Sequence, residues 1–461
     1  MAIIGSVRRW LAPPTPDTRT FPAPSGRRSD ADLRKDAESV LSRAISAADP
    51  ETAVAGSLRA APPPMPADGR VWIVALGKAA SAMTRAACGV FGERLAGGML
   101  AVPPGFSTAA PDPIRRFVAG HPLPDERSVE VARAAMEIVG GAPASDLVLL
   151  LLSGGGSSVA ALPHAGLRVE ELADATGRLI RAGVPAGDLA VVRKRLDALK
   201  GGGLALRCVE ARSLALVISD VPGDRVDLVA SGPMSPDAAR IGEVRSILRR
   251  HGVWTELPLA VRGYLERCLA GELAETPKAG HACFSRFEAR MVAGSKGAAE
   301  AALQVAQTLG YDSQVLSNEL VGDAREVGRL LGEMARSMAE MRRPGEPPRC
   351  VIAAGATTVR GELGDHVARN QELVLQAALE LDGLEAAILA SLGTDGVDGA
   401  LPAAGALATG DTVRRARDSG LDTEAALGAH DAYALLRTLR DVVVAGTAGA
   451  YVGDLQVLML G

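Results

Sequence analysis

Short runs of uninterrupted apolar residues, separated by longer amphipathic stretches, recur along the whole of this 461-residue chain. The expected strands are 71-VWIVAL-76, 98-GMLAV-102, 147-LVLLLL-152, 214-LALVIS-219, 290-RMVAG-294, 350-CVIAAG-355, 387-AILAS-391 and 441-DVVVAG-446. A strand that is apolar at every position must be covered on both faces. That demands a parallel sheet between layers of helix rather than a half-exposed antiparallel one. The intervening segments supply those helices, expected at about 30–47, 79–91, 125–139, 170–181, 187–199, 297–309, 323–340, 370–381 and 423–437. The clearest is 325-REVGRLLGEMARSMAEM-341, whose apolar residues recur at i, i+3 and i+4.

Two α/β blocks follow from this alternation, over 29–240 and 286–461, joined by a strand-poor helical stretch over 241–285 and preceded by a loose Pro- and Ser-rich arm over 1–28. No apolar run approaches the ~20 residues that cross a bilayer, which speaks against a membrane partner. Fifty Lys and Arg against 54 Asp and Glu leave a net charge of −4 with no clustered basic run, which speaks against nucleic acid. The five cysteines are odd in number, scattered and without a C-x-x-C pair, as expected of a reducing, cytoplasmic setting without a disulfide framework or zinc cage. The arm has no apolar stretch of secretory type, while its arginines leave a transit peptide open. A small-molecule ligand in a monomer or homodimer is the expectation that remains.

In open parallel sheets, ligands bind beyond the carboxyl ends of the strands, where strand order reverses. The loops at those ends are rich in glycine and polar residues: 77-GKAA-80, 153-SGGGSS-158, 220-DVPGD-224 with 231-SGP-233, and 393-GTDGVDG-399. Glycine in such a turn lets backbone N–H groups approach an anion, so Ser153, Gly154, Gly155, Gly156 and Ser157 form a candidate phosphate or carboxylate cradle. Only six of the 50 basic residues are lysine, and Lys78 and Lys200 are among those that stand beside glycines; a compact ammonium there suits a phosphate. Arg193, Lys194 and Lys200 bracket one helix, where charge complementing the helix dipole is the competing reading. Arg369, Asn370 and Glu372 open another helix, as ligands or as its cap. Asp395 and Asp398, set between glycines, suit magnesium, a hydroxyl base or plain turn chemistry. His121 in 120-GHPLPDE-126 reads as structural. The Walker A pattern, the G-x-G-x-x-G fingerprint and the G-x-S-x-G elbow all fail on these loops.

Taken together the loops resemble the MOFRL-type glycerate 2-kinases. The resemblance rests on 76-LGKAASAM-83, 119-AGHPLPDERS-128, 152-LSGGGSS-158, 192-VRKRLDALKGGGLA-205, 218-ISDVPGD-224 with 230-ASGP-233, 322-GDAREV-327, 369-RNQE-372 and 393-GTDGVDG-399. It implies a first Rossmann-like domain with a parallel sheet and helices on both faces, a second, smaller MOFRL-type α/β domain, and an active site in the cleft between them. It also implies transfer of the γ-phosphate of ATP, with Mg²⁺, to the 2-hydroxyl of D-glycerate. Lys78 and Arg369 match the family's catalytic lysine and arginine. Asp220 and Asp395 are then candidates to hold the metal or orient the hydroxyl, with Asp395 counted among the catalytic residues, and Lys200, Asn370 and Glu372 candidates to bind substrate or phosphate. Ala450, Tyr451 and Gly453 stand where the family carries polar side chains, Pro402 where an acid is expected, and of a glycine-rich lead-in before Arg369 only Gly364 remains. These departures keep two alternatives in view: a kinase for another hydroxy acid, and a weakened paralogue that senses its ligand. A nicotinamide-dependent dehydrogenase is opposed by the failed fingerprint.

Overall fold

A computed structural model describes residues 28–208, 210–359, 367–399, 401–445 and 450–461. The arm expected over 1–28 and the lead-in at 363–366 thus lie almost wholly outside the described residues. The chain forms two compact units. One holds Pro50–Val221 and Arg225–Ala293; the other holds the chain up to Asp49, Pro222–Asp224 and Gly294–Gly461.

The first unit is built on six parallel strands: β1 (Val71–Leu76), β2 (Leu95–Val102), β3 (Ile114–Val118), β4 (Leu147–Leu152), β5 (Arg212–Ile218) and β6 (Phe287–Ala293). Their order is β3-β2-β1-β4-β5-β6, that of a doubly wound dinucleotide fold, so the order reverses between β1 and β4. Leu76 lies in register with Leu152, which brings the two ensuing loops side by side at that reversal. All six residues of β4 are buried, each aliphatic side chain stabilising by ~1.5–3 kcal/mol relative to exposure, and this fixes the middle of the sheet. The helices Ala80–Phe91 and Glu126–Gly141 pack on β1 and β2.

The expected boundaries move in two places. The stretch 241–285 is no joint: Val244, Ile247, Leu248, Val261 and Leu265 share a buried cluster with Leu172, Leu179, Val192 and Leu196, all within the first unit. The residues 287–293 pair with β5 and close the first sheet rather than opening the second block.

The second unit carries β7 (Asp312–Asp323), β8 (Arg349–Thr358), β9 (Ala387–Gly393), β10 (Gly405–Thr409), β11 (Val442–Val443) and β12 (Asp454–Leu460), in the order β11-β10-β9-β12-β8-β7. Only β7 and β8 run parallel, and the sheet is mixed. The helix Asp30–Ala47, expected in the first block, packs on Ser295–Thr308 of this unit, and Tyr311 donates to the buried Asp36 at 2.6 Å. Asp224 belongs here too, accepting from the backbone N–H groups of Ser295 and Lys296 at 3.1 and 3.0 Å and so capping that helix. Among the described residues no helix is long and apolar enough to cross a membrane.

Candidate active site

In the first unit, the loops after β1 and β4 are joined to each other. The N–H of Lys78 donates to the carbonyl of Gly154 at 2.8 Å, that of Ala79 to Ser153 Oγ at 3.1 Å, and that of Ser153 to the carbonyl of Leu76 at 3.0 Å. Gly77 makes this possible: its φ is +116°, and a Cβ there would lie 2.5 Å from the carbonyl oxygen of Ser153 and 2.6 Å from its Oγ. Lys78 is thereby fixed at the switch point with its side chain half-buried, its Nζ 5.9 Å from the centre of the Phe106 ring. Among the described residues it forms no salt bridge.

In the 153–158 loop, expected as a phosphate or carboxylate cradle, backbone and hydroxyls are engaged differently. The N–H groups of Gly154 and Gly155 make no hydrogen bond among the described residues, so they remain as anion donors. The hydroxyls are otherwise engaged. Ser153 is buried against Ala79, and Ser157 lies 2.9 Å from the Oγ of Ser231. Gly156 packs against Ala230, and Ala230 and Ser231 both adopt positive φ, +51° and +58°. Backbone strain of this kind collects at functional sites.

Charge gathers around this loop. The Asp220 carboxylate lies on the face of Gly154, where a Cβ would meet its Oδ2 at 2.3 Å. Burial raises the pKa of Asp220, and Lys78 partly offsets that rise. Gly155 faces Lys78, Pro103 and His121, each 3.4–3.5 Å from where its Cβ would stand. Nδ1 of His121 is 2.7 Å from Ser158 Oγ. Arg193, on the helix Ala186–Leu196, lines a small recess with Ser157, Asp197 and Lys200. It has no hydrogen bond or ion pair among the described residues, and its pKa is drawn down to about 10 by burial, with Asp197 opposing. A half-buried guanidinium without a counter-ion is a seat for an anion.

Lys200 has no such freedom. It is 3% exposed, ion-paired to Asp197 and donates to the carbonyl of Ala160 at 2.9 Å. The expected phosphate ligand is thus an internal brace, and Arg193, for which a helix-dipole charge was the competing reading, forms no ion pair among the described residues. His121 was likewise read as structural. Nothing in the linear spacing marks either residue, because both reach the loop from elements distant in sequence.

In the second unit, Arg369 opens the helix Arg369–Leu381. Its Nε and Nη2 grip the buried Asp454 at 2.5 and 2.8 Å, Nη2 also reaches the Tyr451 hydroxyl at 2.9 Å, and the guanidinium sits 5.3 Å from the centre of that ring. Asp454 holds the guanidinium charged, outweighing its desolvation. Tyr451 therefore does not delete a polar group from this loop: its hydroxyl contacts both Arg369 and Asp454. The carbonyl of Gly453 accepts from Thr394 Oγ at 2.8 Å, which ties 393-GTDGVDG-399 to the same loop.

Two expected ligands are structural in this unit. Asn370 is fully buried; its side-chain amide donates to Asp398 at 3.1 Å and its Oδ1 accepts from Ser391 at 2.6 Å. Glu372 is 1% exposed, paired with Arg325 at 2.5 Å and with His430 at 2.9 Å. Asp398 itself accepts from the backbone and side-chain nitrogens of both Asn370 and Gln371, capping the helix. Burial, and next the charge of Asp454, raises its pKa to about 6. Asp395 accepts from the N–H of Val397 at 3.2 Å in the turn before it. Among the described residues no three His, Cys, Asp or Glu converge as a metal cage. Taken singly, Asp220 in the first unit and Asp395 in the second are oxygen donors of the kind a hydrated magnesium ion accepts.

A domain of unknown function (DUF4147) matches residues 36–266, and the MOFRL family matches 349–454. The D-glycerate 2-kinase of Thermotoga maritima is 35% identical over 423 residues, 92% of this chain and 97% of that one. The glycerate 2-kinase of Pyrococcus horikoshii is 33% identical, covering 93% and 98%. A putative hydroxypyruvate reductase of Agrobacterium vitis is 34% identical, covering 94% and 96%. A crystal structure of glycerate kinase from T. maritima superposes with a TM-score of 0.83 at 33% identity, covering 94% of this chain and 100% of the other. The order of the first sheet, the joined loops at its switch point and these relatives agree: the chain belongs to the MOFRL-type glycerate 2-kinase family.

Proposed function

We propose that this protein is a cytoplasmic kinase that transfers the γ-phosphoryl group of ATP to the 2-hydroxyl of D-glycerate, giving 2-phosphoglycerate and ADP by in-line displacement. The observation that carries the reading is Lys78, held at the switch point by two joined loops and engaged in no salt bridge among the described residues. Phosphoryl transfer asks a protein mainly for positioning and for neutralisation of spreading negative charge. A lysine fixed through its backbone beside the free N–H groups of Gly154 and Gly155 supplies both. Magnesium, carried in by the nucleotide, would neutralise phosphate charge, with Asp220 and Asp395 as its candidate carboxylates. Arg193 is suited to the carboxylate of the acceptor, since its planar fork matches that group and no ion pair among the described residues occupies it.

Coupled ADP release over glycerate, tartronate and hydroxypyruvate tests the reading. Lys78→Ala is expected to lower kcat ~10²–10³-fold, the loss typical of one transition-state donor. Arg193→Gln is expected to raise KM for the acid by ~10–100-fold, as for a lost charge-assisted contact of ~1.5–3 kcal/mol. Full turnover in Lys78→Ala would remove that residue from the mechanism. One observation favours the ligand-sensing alternative: Arg369 already spends its fork on Asp454. Stabilisation by ATP–Mg²⁺ without ADP release on any acid would select that alternative, and stabilisation by NADH alone would select a dehydrogenase.

A further inference from the structure

We propose that His121 is the base that takes the proton from the acceptor hydroxyl, held in the working tautomer by Ser158. The inference rests on the kinase reading above and assigns the one chemical role that reading leaves open.

The tautomer follows from the hydroxyl between them. Ser158 is 2% exposed, and its Oγ–H donates to the carbonyl of Gly155 at 3.1 Å, so its only proton is spent. With that proton on the carbonyl, which can only accept, the 2.7 Å contact from Oγ to Nδ1 of His121 is assigned as a donation from the imidazole. With the proton on Nδ1, the lone pair is on Nε2, which makes no hydrogen bond among the described residues. The ring lies on the correct side of the cradle: its Cε1 and the Cγ of Lys78 both stand within 3.5 Å of the position a Gly155 Cβ would take. Residue 121 also keeps an exposed face, which leaves a way in for a ligand and a way out for a proton.

The groups facing the ring all keep it neutral. Enclosure by the surrounding loops lowers its pKa first, then the charge of Lys78 from the loop after β1, then that of Arg193 from the helix Ala186–Leu196. Asp125, the nearest acid in sequence, is turned to cap the following helix, accepting from the N–H groups of Gly120 and Ser128. Asp220 approaches Lys78 rather than the imidazole. A histidine charged at neutral pH could not accept a proton; this one is free to.

The step balances as follows. The hydroxyl proton passes to Nε2, and the oxygen's electron pair forms the new bond to the γ-phosphorus. The bond from that phosphorus to the β,γ-bridging oxygen breaks, its pair leaving with ADP. The imidazolium then returns its proton to water at the exposed edge.

The test compares pH profiles of ADP release for wild type, His121→Gln, Ser158→Ala and Asp220→Asn, with the ¹⁵N shifts of the His121 ring read on the full-length protein. Wild-type kcat is expected to rise through a pKa below the ordinary imidazole value and then level. His121→Gln is expected to lose ~10²–10⁴-fold in kcat together with that limb, at little cost in KM for the nucleotide. Ser158→Ala, a positioning change, is expected to lose about tenfold and to mix the two ring tautomers, which mere loosening of the fold would not do. A predominant Nε2–H tautomer in the wild type overturns the proposal without reference to activity. So does a limb that survives in His121→Gln and vanishes in Asp220→Asn, which would move the base to the carboxylate. A wild type inert toward every hydroxy acid, with the Nδ1–H tautomer in place, would instead defeat the kinase reading and take the base with it.

Discussion

Arg369 was expected as a cation for the triphosphate, and the structure shows it tied to Asp454, so replacing it should affect stability before chemistry. Asp454 is fully buried, whereas the Arg369 side chain is 31% exposed, so water reaches one side of the pair only. Removing one partner of a buried ion pair costs ~3–5 kcal/mol because the other charge is stranded. Solvent access on the arginine side brings the expectation for Arg369→Met down to about 2–3 kcal/mol, below that range. For a unit of this size ~1 kcal/mol moves the midpoint by ~2–4 °C, so the second unit should melt about 5–10 °C lower. Replacing both partners, as Arg369→Met with Asp454→Leu, should recover most of the loss, since an apolar pair of similar volume is near neutral. Calorimetry resolves the outcome if the two units melt separately, and a double-mutant cycle isolates the coupling. A midpoint for Arg369→Met within about 1 °C of wild type, alongside lost turnover, would refute the reasoning. The guanidinium would then act on ligand, with Asp454 as no more than its resting place.

Two further outcomes follow from the same geometry. Gly77→Ala must adopt φ near +116° and overlap the backbone of Ser153, which is expected to cost ~2–5 kcal/mol and to abolish turnover; unchanged urea denaturation would show that the loops are not joined as described. Asp398 holds its proton more tightly folded than unfolded, its pKa raised from 3.8 to about 6. A raised carboxyl favours the folded state at low pH and loses that contribution as the pH climbs through the folded value. The stability advantage of wild type over Asp398→Asn should therefore shrink, by up to ~3 kcal/mol, between pH 4 and pH 7. An advantage that grows with pH in that interval would contradict the assignment.

The strands legible in sequence were those whose surroundings are uniform. β1, β4 and β5 lie inside a sheet covered on both faces, so 71-VWIVAL-76, 147-LVLLLL-152 and 214-LALVIS-219 carry an unbroken apolar signal. β7 was missed because it is an edge strand, paired with β8 alone, and its DSQVLSNELVGD is half-exposed and polar through its middle. β10, GALAT, is buried but made of residues too small to read as strand. β12 was missed although LQVLML is apolar, and it is an antiparallel strand set between β8 and β9. Parallel alternation extrapolated from the first block could not foresee a strand supplied by the end of the chain.

The site was legible where a residue's role is set by its own turn and illegible where it is set by a partner far away in sequence. Gly77-Lys78 and 153-SGGGSS-158 declare themselves because glycine at a strand end has few other uses. The string 369-RNQE-372 shows the opposite. Its polar residues suggest ligands, yet partners within the unit claim them: buried Asp454 takes Arg369, buried Asp398 takes Asn370, and half-buried Arg325 takes Glu372. On the first turn of a helix, consecutive side chains diverge by ~100°, so a polar run cannot all face one ligand. Some of its members must turn inward, and burial then demands hydrogen-bonded or charged partners for each. His121 and Arg193 come from two separate elements and join Lys78 about the loop after β4 with no spacing rule to announce them. The most informative residues in the first unit are thus those that the fold brings to the loop from elsewhere in the sequence.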